Sequence, residues 1–126
     1  MPDNKYSIDI NQGDTFFLNL TVKEANGALK NLTGYSARMQ MRTSYAAITA
    51  TETLSTTNGE ISINTSSSII SLTLPASRTA NIAVDLDAGS PPKSKYVYDL
   101  ELTDSSNNVS KLIYGDVTVY GEVTRG

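Results

Sequence analysis

At 126 residues the chain has the length of one domain, long enough to bury a sizeable core without disulfides. Its 13 acidic and 10 basic residues give a net charge of -3 and concentrate no positive charge, so a nucleic acid is not expected as a partner. That low net charge, beside 39% hydrophobic residues, excludes a disordered chain, and the longest apolar run, Ile69–Leu74, is far too short to span a bilayer.

Alternation of apolar and polar residues is the main signal along the chain. Tyr6–Ile10 predicts a first strand, Asn11–Asp14 a turn, and Thr15–Val22 a longer strand. Asn26-Gly27 marks a hairpin, because both residues tolerate positive φ. A short extended piece, Ala28–Leu32, leads to Thr33-Gly34 and then to the strand Tyr35–Arg42, with Ala37, Met39 and Met41 on one face. The segment Ser44–Leu54 reads two ways: Tyr45–Ile48 suits a helical turn, while the β-branched Thr49–Thr53 favours a strand. Glu60–Asn64 and Ile69–Leu74 read as a hairpin, and Ala76–Val84, after Pro75, is the best helix candidate. The Gly- and Pro-containing Asp85–Lys95 reads as a mobile loop. Tyr96–Thr103 and Val109–Val119 are the last strands, with Gly115 suggesting a bulge. Seven to nine short antiparallel strands with at most one helix point to an all-β sandwich in one domain; a closed barrel gives the same pattern.

The chain has no His, Cys or Trp, which removes Ser-His-Asp, Cys-His and thiolate or imidazole metal chemistry. Phosphate-cradling Gly-rich motifs are absent. No catalytic residue, cofactor, metal or small-molecule substrate is therefore expected, and the chain reads as a non-enzyme. Asp85 and Asp87 lack the further oxygen ligands of a calcium loop. Asp99 and Glu101, two apart on a strand, share one face, as do Arg38 and Arg42 on theirs. These four are predicted to form cross-strand ion pairs rather than an acid–base couple. Arg78 and Lys93 read as isolated solubilising charges. Four Asn-x-Ser/Thr triplets, at Asn19, Asn31, Asn64 and Asn108, are expected by chance in so Ser- and Thr-rich a chain. Among the tyrosines, Tyr98 and Tyr114 are expected in the core, whereas Tyr96 and Tyr120 are candidate contact anchors.

Two runs carry a resemblance. "GDTFFLNLTVKEANGALKNLTGYSARMQMR", Gly13–Arg42, resembles the opening of bacteriophage tail and baseplate structural domains. It is similar in particular to the N-terminal domain of the baseplate upper protein of siphophages, and to small cyanophage virion proteins. "YVYDLELTDSSNNVSKLIYGDVTVYGEVTR", Tyr96–Arg125, is similar to the ending of the same domains. The resemblance implies an immunoglobulin-like β-sandwich that serves as an assembly or attachment module of a virion, made in the host cytoplasm. The N-terminal Met1–Lys5, which has no apolar core of a secretion signal, agrees with synthesis there. With no coiled-coil stem or receptor-binding head in these residues, a tail, baseplate or adaptor subunit is expected, with capsid decoration as the alternative. The implied partners are other virion proteins and further copies of the chain, met through edge strands. The expected contact residues are Tyr6 and Ile8 in the first strand, Tyr96 and Tyr120, and Val123 and Arg125 in the tail. A carbohydrate-binding module is the remaining reading; only Tyr45, Tyr96 or Tyr120 could supply its aromatic platform.

Overall fold

Eight strands and one helical turn carry the inward-facing apolar residues of the alternating segments to a shared core. In the computed structural model, which describes residues 4–87 and 89–123, the order is β1 (Ile8–Asn11), β2 (Phe16–Thr21), β3 (Ser36–Arg42), β4 (Glu52–Ser55), β5 (Ile61–Asn64), β6 (Ile69–Leu74), α1 (Ala76–Thr79), β7 (Lys93–Thr103) and β8 (Val109–Tyr120). A five-stranded sheet, β1-β8-β7-β3-β4, faces a three-stranded sheet, β2-β6-β5. This is the strand order of an immunoglobulin-like sandwich, with β2, β6 and β5 forming one layer and β8, β7, β3 and β4 the other. Two separate sheets exclude the closed barrel. One pairing departs from an all-antiparallel expectation: β1 runs parallel to β8, Ile8 opposite Val117 and Ile10 opposite Val119. No helix of the described residues is long and apolar enough to cross a membrane.

The period of two decides which side chains are inside. Ala37, Met39 and Met41 of β3 meet Leu102, Leu100 and Tyr98 of β7, and β8 adds Val117 and Val119. Ile70, Leu72 and Leu74 of β6 supply most of the opposite layer, with Ile61 of β5. All of these are buried, the Val, Leu, Ile and Met side chains each contributing roughly 1.5–3 kcal/mol relative to an exposed position.

Several segments differ from the sequence expectation. The helix is four residues long, not nine. Thr79, fully buried, donates its hydroxyl to the Asp14 carbonyl at 2.7 Å and accepts the Gly13 N–H at 3.1 Å. Such a short helix has little stability of its own, and the tether to the β1–β2 turn with burial of Ile82 redirects the chain. Lys93–Lys95, assigned to the loop, extend β7 by pairing with Thr118–Tyr120. Of the 28–32 piece only Leu29 bridges, opposite Lys23. The strand in the ambiguous stretch begins at Glu52. Gly115 is not the bulge: the register slips between Leu100 and Glu101, opposite Leu112. Gly115 is instead where the backbone of Tyr6 comes closest, and a β-carbon there would lie 2.4 Å from the Tyr6 carbonyl oxygen.

Candidate interaction face

Because β3 and β7 turn their apolar residues inward, their alternate residues form the outer face of the larger sheet. Arg38, Gln40 and Arg42 stand on β3 opposite Glu101, Asp99 and Val97 of β7. The β3–β4 connection, residues 43–51, folds back over one end of this face. Arg42 holds it there, donating from one guanidinium nitrogen to the Ala47 carbonyl at 3.0 Å and from the other to Gln40 Oε1 at 2.9 Å. The loop so fixed carries Tyr45, 70% exposed, and Ile48, 95% exposed. Together Arg38, Gln40, Arg42, Tyr45, Asp99 and Glu101 line an open groove of about 210 Å³. A row of cations on β3 thus runs beside a row of carboxylates on β7, with an aromatic ring at one end. Such a surface suits a polar partner presenting both signs of charge.

The four predicted charges share this face, but they do not form the predicted pairs. Among the described residues, no ion pair joins Arg38 or Arg42 to Asp99 or Glu101. Asp99 takes Lys111 of β8 instead, at 3.5 Å, and Arg42 spends its donors on Gln40 and the loop. Arg38 and Glu101 are left facing each other across the groove, with no ion-pair partner among the described residues.

The predicted contact residues scatter. Ile8 is 3% exposed and Tyr96 5% exposed, so neither is a surface anchor. The pleat turns Ile8 toward the core, and the Tyr96 hydroxyl reaches inward to donate to the Ala83 carbonyl. Burial raises the Tyr96 phenol above its ordinary value. Tyr98 is buried as expected and donates to the Tyr6 carbonyl at 2.6 Å; burial, then the Tyr6 phenol, raises its pKa strongly. Tyr114, expected in the core, is half-buried on the outer face near the Lys111 ammonium. Tyr6 exposes its ring, Tyr120 is half-buried, Val123 is exposed, and Arg125 lies outside the described residues.

Sequence reasoning missed the most connected cation. Arg78 of α1 meets both Glu52 of β4 and Glu60, the residue before β5, and also donates to the Thr53 carbonyl at 3.2 Å. It therefore ties the two sheets along the side where β4 and β5 leave the sandwich open, and is not a solubilising charge. Nothing local could reveal this, since its partners are 26 and 18 positions away in sequence. Among the described residues no cluster of acids has the arrangement of a metal site. No protein-family model matches the chain, and no curated protein matches it significantly.

Proposed function

We propose that this chain is a structural subunit of a bacteriophage virion, a tail or baseplate assembly or adaptor protein that works through protein–protein contacts. The reading rests on the likeness of Gly13–Arg42 and Tyr96–Arg125 to tail and baseplate domains, and on one structural observation. That observation is the outer face of β3 and β7: Arg38 and Glu101, without an ion-pair partner among the described residues, in an open groove beside a pinned loop that exposes Tyr45 and Ile48. Arginine and tyrosine are enriched at protein interfaces, and an aromatic beside an aliphatic anchor on a fixed loop is a common form of contact surface.

The test is made on gradient-purified phage particles carrying the gene for this chain. Mass spectrometry should find the protein in particles at stoichiometric level, and immunogold should label the tail. Replacing Arg38→Glu with Tyr45→Ala should lower its incorporation at least tenfold while the purified variant stays folded. Label over the capsid would establish the decoration role instead. Absence from particles, with the protein present in the lysate, would overturn the virion reading. Exposed Tyr45 over a groove rich in hydrogen-bonding groups also favours a second reading, a carbohydrate-binding module. Titration with soluble oligosaccharides, followed through the Tyr45 ring signals, decides between a glycan and a protein as occupant.

A further inference from the structure

The four sheet edges are not equally protected, and the difference lies in the backbone. Val22 donates its N–H to Ser68 at 2.8 Å, in the same register that pairs β2 with β6. In an antiparallel ladder, hydrogen-bonded positions alternate, so Phe16, Leu18 and Leu20 also turn their N–H and C=O groups to β6. The groups of Phe17, Asn19 and Thr21 then point away from the sheet, and among the described residues nothing meets them.

Compare the other edges. On β4 the outward positions are Thr53 and Ser55: the Thr53 carbonyl accepts from Arg78, and the Ser55 N–H donates to Asn58 Oδ1 at 3.1 Å. Edge β1 offers Asp9, charged, and Asn11, whose carbonyl takes the Asp14 N–H. Edge β5 offers only Ile61 and Ile63. By contrast β2 has three open positions in a row, no charge and no proline from Thr15 to Val22, and Phe17 67% exposed. Its core-facing Phe16, Leu18 and Leu20 are only half-buried, whereas their β6 partners are buried. At the Phe16 end of the strand a cleft of about 350 Å³ opens between β1 and β2. Natural proteins seldom leave such an edge bare.

We propose that β2 joins two copies of this chain, pairing antiparallel with itself about a two-fold axis at Asn19 to merge their three-stranded sheets into one of six strands. The occupant is argued from self-complementarity. With Asn19 opposite Asn19 and Phe17 opposite Thr21, all three open positions meet open positions, giving six backbone hydrogen bonds. This register also keeps the pleat in phase. Leu18 meets Leu20 on the core side, so half-buried apolar groups cover one another, and Phe16 meets the buried Val22. The ladder ends before Asp14 and Glu24, which it would otherwise bring face to face. A single strand pair is narrower than a standard interface of about 1,600 Å², so association in the range of about 100 µM is expected. The pairing rests on the geometry of this edge and does not depend on the virion role.

The chain contains no cysteine, which makes the register directly testable. Opposed hydrogen-bonded residues have α-carbons about 5.5 Å apart, within disulfide range. Asn19→Cys alone should cross-link into dimers under mild oxidation, at least tenfold faster than an exposed Ser62→Cys control. Phe17→Cys and Thr21→Cys should link efficiently only when mixed. Asn19→Pro removes an outward N–H and leaves the bonds to β6 intact, so sedimentation equilibrium should show at least tenfold weaker association. A wild-type chain that is strictly monomeric to about 1 mM would overturn the proposal. So would a folded Asn19→Pro variant that dimerises normally, or a Ser62→Cys control that links as fast as Asn19→Cys. Should Asn19→Pro fail to fold, the cysteine series decides alone.

Discussion

Tyr98 shows how one side chain can serve two elements. Its ring fills the core between the sheets, and its hydroxyl crosses to the Tyr6 carbonyl, fixing the segment that leads into β1. The folded chain holds this phenol proton more tightly than the unfolded chain does, as it holds that of Tyr96. The resulting stability is complete below the ordinary tyrosine value near 10 and is lost as pH climbs above it. Urea midpoints are therefore expected to be level through neutral pH and to fall from about pH 10 upward. Tyr98→Phe should flatten that fall while costing about 1 kcal/mol at neutral pH, because the Tyr6 carbonyl loses its donor. A fall as steep in the variant as in the parent would contradict this account. Asp104 works at the surface in the opposite direction. In the β7–β8 turn it accepts the N–H groups of Asn108 and Ser106, which hold its carboxyl below the ordinary value.

At the scale of elements, β8 is organised around one absent side chain. Its alternation turns position 115 inward, and Gly115 leaves room for the N-terminal segment to lie against it. Gly115→Ala should push that segment off β8 and weaken the Tyr98–Tyr6 bond, for a loss of about 2 kcal/mol in chemical denaturation. An unchanged midpoint would mean that the segment can shift aside at no cost. The alternating pattern made most strands legible, because burial on one face enforces a period of two whatever the neighbours are; β4, four residues without clean alternation, stayed ambiguous. It misplaced the ends of the helix and of β7, since those depend on partners distant in sequence: Thr79 on the β1–β2 turn, and Lys93–Lys95 on Thr118–Tyr120.

Across the whole molecule, the sheets are held by the core and, at one side, by Arg78. Removing it would leave Glu52 and Glu60, both mostly buried, close together without a counter-charge. Arg78→Met should therefore cost about 2–3 kcal/mol, read from urea unfolding, and should uncap the Thr53 carbonyl on the β4 edge. If stability does not change, the ion cluster is not what closes that side. The same distinction between a protected and an open edge underlies the expected pairing through β2. Sequence alone located the charged face of β3 and β7, because spacing by two puts Arg38, Arg42, Asp99 and Glu101 outside. It did not locate Tyr45 beside them, since that depends on how Arg42 holds the loop.

The chain's own residues determined the class of fold, the strands and the identity of the inward face, because these follow from local alternation and from turns built on Asn-Gly pairs. Tertiary structure alone decided that β1 runs parallel to β8 and that Arg78 is a tie between sheets. It also decided that β2 is a bare edge. Whether a strand lies at an edge, and which of its amides look outward, depends on which strands pair beside it, and no single segment carries that information.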